Sequence, residues 1–162
     1  MSLKEEIKIK IRSELYEVDA SMFSDDDIDF FEAKPSDDAP EADILEINCF
    51  GVMSEDEGRL FISYDETEAT GMDGSTTSVS FLKSAPEIVT MTRDGLVSAT
   101  LVFEEGKRHH CIYKTPFMPF EVCVKTKSVV NEITSSGVLE LDYIVEIRGA
   151  KAERTKFKMQ IL

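Results

Sequence analysis

Arg93 is the residue of this chain whose type and position best suggest chemistry. It ends an alternating stretch in which it shares a face with Val89 and Met91. Side chains two apart in a strand point to the same side, so Arg93 is predicted to point inward with these apolar neighbours. A buried guanidinium needs an acceptor. The acceptor is either a carboxylate or backbone carbonyl of the protein, or the carboxylate or phosphate of a ligand bound in bidentate fashion.

Four hydroxyl-bearing residues are natural companions of Arg93 if their strands face the same interior. They are Tyr64, Thr77, Tyr113 and Tyr143. Each hydroxyl could bind a ligand, and each side chain could instead simply fill the core. The sequence therefore predicts a ligand site made of these five residues, with core packing as the alternative.

The remaining reactive side chains lack the spacing of a catalytic or metal site. His109 and His110 are neighbours in a predicted strand, so they point to opposite faces and cannot chelate one ion. His109 and Cys111 share a face, but a zinc site needs three or four ligands and no third is visible. The paired carboxylates Asp65 and Glu66 sit at a strand end, where we expect both to be solvated.

Cofactor and nucleophile motifs are also missing from the sequence. It holds no GxSxG elbow, no Walker motif and no GxGxxG. Cys111 and Cys123 bracket the turn at Phe117 symmetrically, so we expect two reduced thiols directly across a hairpin rather than a redox pair. We therefore predict no enzymatic activity, no catalytic residue, no bound metal and no cofactor.

Short alternating segments separated by turn residues position these side chains. About ten β-strands are predicted, with Asp94-Gly95 and Glu105-Gly106 as the clearest hairpin turns, and no long amphipathic helix is visible. In the first strand the apolar period slips near Ser13, which predicts a β-bulge or an exit into a loop.

The short turns and the alternation together predict a barrel. Short turns make successive strands antiparallel, and alternation gives the sheet one wet and one buried face. An open sheet of this size would leave two long edges, which closure removes. The predicted fold is all-β, an antiparallel up-and-down β-barrel of about 8–10 strands, with room for a packed interior or one small ligand. A two-sheet sandwich is the alternative.

A strongly acidic segment interrupts the strands between Asp19 and Asp43. It holds ten acids and one base, Lys34, so nine of the chain's fourteen net negative charges lie there. Like-charge crowding and two prolines predict a mobile loop. Phe30 and Phe31 add an apolar patch, so the alternative is a docking segment or a lid.

Length and composition bound the remaining possibilities. The 162 residues, 42% of them hydrophobic, suit a single domain over residues 1–162. A net charge of −14 repels phosphate backbones and anionic bilayers, so we expect neither nucleic acid nor a membrane as a partner. Three cysteines without a CxxC, and an N-terminus without the apolar core of a signal peptide, favour a cytoplasmic protein. The oligomeric state stays open, with a homodimer among the options.

Several segments resemble the YwiB-like family of uncharacterised bacterial proteins. The likeness rests, in this order and spacing, on YDETEATGMDGSTTSVSF (64–81), VTMTRDG (89–95), LVFEEG (101–106), YKTPF (113–117) and TKSV (126–129). It covers roughly residues 3–162 except the acidic segment, which looks like an insertion, and Met118 stands where the family turn has Gly. The resemblance implies a calycin- or lipocalin-like β-barrel and carries over no catalytic residue.

Two functional interpretations follow from this scaffold. In the first, the barrel binds a small amphipathic or anionic ligand near Arg93, Tyr113 and Tyr143. In the second, the protein is an interaction or structural module that uses the acidic segment or a sheet face. The inward arginine favours the first.

Overall fold

Ten antiparallel strands make up most of the described chain. The computed structural model describes residues 3–18, 43–66, 74–147 and 151–162, so the acidic segment predicted at residues 19–43 lies outside it, apart from Asp43. The strands are β1 (Leu3–Val18), β2 (Asp43–Asp56), β3 (Arg59–Asp65), β4 (Thr76–Leu82), β5 (Ala85–Asp94), β6 (Ala99–Glu104), β7 (Arg108–Lys114), β8 (Pro119–Glu132), β9 (Val138–Ile147) and β10 (Lys151–Ile161). Nowhere in these ranges is there a helix long and apolar enough to cross a membrane.

Strands that are consecutive in the chain are neighbours in the sheet, except β6 and β7, and β1 also pairs with β10. The sheet edges are then β6 and β7. The two edges meet where Ser98, just before β6, and Lys114 of β7 exchange two backbone hydrogen bonds of 2.9 Å. The β6–β7 connection also bonds β8, since Gly106 N–H donates to the Thr126 carbonyl at 2.9 Å and Thr126 N–H donates to the Lys107 carbonyl at 3.2 Å. The sheet is therefore a nearly closed barrel. This confirms the predicted all-β up-and-down barrel over the two-sheet sandwich.

Glycines lie in the hairpin turns, but Gly58 and Gly95 are needed there for different reasons. Glu57 and Gly58 both have positive φ, 49° and 80°, which suits a tight turn between twisted strands. Gly95 does not have positive φ. A Cβ there would lie 2.8 Å from Cα of Ser75, so glycine is needed for close approach of two loops instead.

β1 is continuous where the sequence predicts a bulge or an exit near Ser13. Its pairing with both neighbouring strands runs through that residue without a register shift. The apolar period slips because Tyr16 belongs to the outer face, where its ring centroid lies 5.8 Å from Cζ of Arg154. An aromatic ring that makes a cation–π contact can face outward without any irregularity in the backbone.

Inward side chains fill one half of the barrel, near the β2–β3, β4–β5, β6–β7 and β8–β9 turns. The apolar ones with no exposed surface are Ile9, Ile62, Val79, Val89, Phe103, Val124, Leu139 and Met159. Each such burial stabilises the fold by about 1.5–3 kcal/mol. This packed half holds the strands that carry the site at the other end.

Arg154 and Asp142 form a bidentate ion pair on the outer face, between β9 and β10. Arg154 Nε donates to Asp142 Oδ1 at 2.9 Å, and Nη2 donates to Oδ2 at 2.7 Å. The two side chains are only 10% and 17% exposed. The hydrogen bond to Asp142 raises the pKa of Arg154, as expected for a bidentate pair that favours the charged form.

Candidate functional site

A cavity of about 290 Å³ occupies the other end of the barrel, near the β5–β6 and β7–β8 connections. Its apolar wall includes Ile11, Leu15, Leu45, Ile47, Leu101 and Val145. Its titratable side chains are Tyr64, Glu66, Arg93, Tyr113, Tyr143 and Glu153. A concave space with apolar walls and a few converging polar groups is the usual form of a small-molecule site.

Arg93 enters this cavity from the end of β5, on the face that its parity predicts. It is half-buried, and its ladder partners are Thr77 on β4 and Ala99 on β6. Its Nε is buried without a hydrogen-bond partner in the described part of the chain. No ion pair of its guanidinium is found among those residues either. The described residues therefore supply no acceptor for Nε, and the ligand role stays a prediction.

Tyr64, Tyr113 and Tyr143 line the same cavity, as sequence parity predicts. The Tyr143 ring packs against Phe103, with 4.5 Å between the ring centroids. Burial raises the pKa of all three phenols, to about 12 for Tyr113, while Arg93 lowers each of them. A nearby cation stabilises a phenolate, and Arg93 lines the same cavity as all three tyrosines.

Thr77 belongs to the site through Glu66, not as part of the cavity wall. Thr77 has no exposed surface, and its Oγ1 donates to Glu66 Oε1 at 2.6 Å. Glu66 faces the cavity and is only 6% exposed, so the expectation that it is solvated is wrong. Its backbone N–H donates to the carbonyl of Ser75 at 2.8 Å, which extends the β3–β4 pairing one step and turns Glu66 to the same face as Tyr64.

Glu66 and Glu153 are the site carboxylates that sequence analysis missed. Both continue an inward alternation by one step past the apolar residues that define it. Glu66 lies two residues after Tyr64, and Glu153 two residues before Thr155. Parity extended past the last apolar residue points inward at both positions, but no local pattern shows that the β3 pairing continues as far as Glu66.

The histidines lie away from the cavity wall, each beside a different carboxylate. His109 Nε2 is 3.2 Å from Glu104 Oε1, and His110 Nδ1 is 3.2 Å from Glu121 Oε1. Within the described ranges, no group of three or more His, Cys, Asp or Glu side chains could hold a metal ion.

Cys111 and Cys123 are not directly opposite each other, contrary to the sequence-based expectation. The connection between β7 and β8 has four residues, so Cys111 pairs with Val122 and Cys123 pairs with His110. A one-residue offset places the two thiols on opposite faces of the sheet. Burial raises the pKa of Cys111 to about 11, which disfavours the reactive thiolate.

Exposed apolar side chains lie at the same end of the barrel as the cavity. Leu96 in the β5–β6 connection is 74% exposed, and Phe117 and Met118 in the β7–β8 connection are 95% and 64% exposed. The Thr115 hydroxyl organises the second connection, since it donates to the Met118 carbonyl at 2.8 Å and accepts from two backbone N–H groups. Met118 has no positive φ, so this turn does not require the family's glycine.

Comparison with known proteins gives a family and a fold. The family described as "Domain of unknown function (DUF1934)" matches residues 32–159. The crystal structure of ywiB protein from Bacillus subtilis superposes with a TM-score of 0.60 at 15% sequence identity, over 97% of this chain and 93% of that one. At that identity the likeness concerns the fold alone. No curated protein sequence matches the chain.

Proposed function

We propose that this chain binds a small amphipathic ligand with an acidic group inside its barrel. The chain belongs to the DUF1934 family, which confirms the resemblance drawn from its sequence. The family is one of unknown function, so support for the proposal comes from the site. In this proposal the ligand is held inside the calycin- or lipocalin-like barrel that the resemblance implies.

The observation that carries the proposal is the buried Arg93 Nε without an acceptor in the described residues. Leaving a buried donor unpaired costs about 1–3 kcal/mol, and more for a charged group. A ligand carboxylate or phosphate would satisfy the guanidinium through two parallel N–H···O bonds. The three tyrosines around it supply further donors at the same place.

The size and lining of the cavity indicate what accompanies the acidic group. A volume of 290 Å³ holds about ten water-sized groups at roughly 30 Å³ each. Aliphatic side chains such as Ile11, Leu45 and Ile47 cover the wall away from the arginine. A short apolar tail would bury against them, which favours an amphipathic ligand of about ten non-hydrogen atoms.

The proposal is one of binding without catalysis. The described lining of the site contains no nucleophile beside a general base, and the sequence holds no nucleophile motif. The three cysteines without a CxxC suit action in the reducing cytoplasm. Nucleic acid and membranes are not among the partners that we propose.

Native mass spectrometry of the purified protein tests this proposal. We expect an added small-molecule mass on the protein, or on protein incubated with octanoate as a probe. Arg93→Met should weaken binding about tenfold or more, since it removes a charge-assisted interaction. Arg12→Met is the matched control, because Arg12 pairs with surface carboxylates at 44% side-chain exposure and should leave binding unchanged. Equal binding by both variants, or no bound mass under either condition, would overturn the proposal.

An interaction module is the second candidate, and the outer face of β2 is the feature that favours it. Phe50 and Val52 are 65% and 41% exposed on that face. The partner that we propose for it is a second copy of this chain, as in a homodimer. Sedimentation at rising concentration should show self-association that Phe50→Ser weakens; a monomer at every concentration would exclude it. Single exposed apolar residues are common, so this candidate ranks second.

A further inference from the structure

We infer that the ligand of this cavity is a zwitterion, an α-amino-acid-like molecule with an apolar tail, whose carboxylate binds Arg93 and whose ammonium group binds Glu66. This inference rests on the proposed function and deepens it. It starts from the charges that face the cavity, which are of both signs.

Glu66 is the buried acceptor in this pairing. It is 6% exposed, it faces the cavity, and Thr77 Oγ1 donates to one of its oxygens at 2.6 Å. A carboxylate offers about four acceptor positions. One neutral hydroxyl therefore leaves most of its capacity for another donor, and a buried carboxylate is best compensated by a cationic one.

Arg93 and Glu66 are close neighbours of Thr77 but do not pair with each other. Arg93 is the ladder partner of Thr77, and Glu66 accepts the Thr77 hydroxyl bond. Adjacent strands are about 4.8 Å apart, so the two charges lie on the order of one to two strand spacings from each other. Within the described residues neither is in an ion pair. A carboxylate and an ammonium group on one ligand carbon would bridge such a gap.

Tyr64 lines the cavity together with Glu66 and Arg93, and the charges of both affect the pKa of its phenol. Burial is the main cause that raises the pKa of its phenol. Glu66 raises that pKa further, and Arg93 lowers it. Both charged groups line the same cavity as Tyr64, so a small ligand beside its ring can contact the two together.

The balance of charge around the cavity argues against a purely anionic ligand. Among the described residues that line it, the buried carboxylate of Glu66 lies on the same cavity wall as Arg93. A simple anion bound to Arg93 would face this carboxylate in a poorly solvated space, where like charges cost free energy. A zwitterion gives the Glu66 carboxylate an opposite charge.

Isothermal titration with a matched pair of probes tests the inference. Octanoate and α-aminooctanoate differ only by the ammonium group, and both suit the cavity volume. We expect α-aminooctanoate to bind about tenfold or more tightly than octanoate, because it adds one charge-assisted hydrogen bond. Glu66→Gln keeps the side-chain shape and the oxygen that accepts from Thr77, and it should abolish that preference. Asp65→Asn, at the exposed neighbouring residue, is the matched control and should keep it.

The outcomes separate this inference from the proposal on which it rests. Octanoate binding as tightly as α-aminooctanoate would overturn the zwitterion while leaving the acidic ligand at Arg93 intact. A preference that survives in Glu66→Gln would overturn the role of Glu66. Failure of both probes in the wild-type protein would overturn the zwitterion, and a wild-type protein without any bound mass in native mass spectrometry would overturn the binding barrel itself.

Discussion

Two arginines of this barrel, one inside and one outside, occupy opposite situations. Arg154 on the outer face is held by both oxygens of Asp142, at 2.9 and 2.7 Å, and lies over the ring of Tyr16. Arg93 in the cavity has a buried Nε without an acceptor in the described chain. The strands position both with equal regularity, but only Arg154 has a bidentate partner among the described residues.

This difference suggests a structural role for Arg154 and a ligand-binding role for Arg93. A mostly buried charge with a bidentate partner contributes to the native state, and removing either partner leaves the other uncompensated. A charge that faces a cavity without a partner contributes little to folding, so its presence needs another reason. The following predictions test whether the two regions respond as differently as their contacts imply.

The largest effect is expected at the outer pair. Arg154→Met should lower the free energy of unfolding by about 3–5 kcal/mol, because it leaves Asp142 mostly buried without its cation. Urea unfolding measures this. Arg12→Met is the control, and its surface ion pairs predict a loss of at most about 1 kcal/mol. Similar losses in both variants would remove the distinction between buried and surface pairs.

The hydrogen bond between Thr77 and Glu66 should rank second. Thr77→Val keeps the shape of the side chain but removes the donor to a buried carboxylate, so we expect a loss of about 1.5–3 kcal/mol. Thr76→Val is a closely matched control one residue away, since Thr76 donates to exposed Asp65 at 3.0 Å. That variant should change stability by less than about 0.5 kcal/mol. Equal effects would indicate that Glu66 is solvated after all.

High pH should reveal the buried phenols. Tyr113 has a pKa raised by burial to about 12 in the folded protein, against about 10 when unfolded. Its contribution to stability is therefore complete below about pH 10 and is lost as pH rises toward 12, because the unfolded chain releases the proton first. The loss is at most about 1.4 kcal/mol per pH unit. Tyr113→Phe should lose less stability than wild type over this range; parallel curves would contradict a buried phenol.

The inward face of the site could be predicted from sequence because apolar neighbours fix strand parity. Arg93 follows Val89 and Met91 at a period of two, and Tyr143 follows Leu139 and Leu141 in the same way. A residue inside such a series has no freedom to change face unless the backbone bulges. This is why the directions of Arg93 and the three tyrosines agree with the structure.

Strand parity does not settle the face of a residue beyond the end of an alternating stretch, and it does not give the register between two paired strands. Glu66 lies one residue beyond β3, and only its backbone bond to Ser75 carries it inward. The offset between Cys111 and Cys123 depends on the four-residue length of the β7–β8 connection. The symmetric spacing of the two cysteines about Phe117 did not predict that length. Tyr16 faces outward because Arg154, far away in the sequence, provides a cation for its ring. Each failure comes from a contact that the local pattern does not contain.

Arg93→Met should have the smallest effect on stability, and this makes it the most informative variant. No described residue is left unpaired when the guanidinium is removed, so we expect the free energy of unfolding to change by less than about 1 kcal/mol. Urea unfolding beside Arg154→Met is the measurement. A loss similar to that of Arg154→Met would show that the protein itself supplies an acceptor for Arg93. A near-neutral stability together with weakened ligand binding would support an acceptor on the ligand, because a structural arginine would lose stability and binding together.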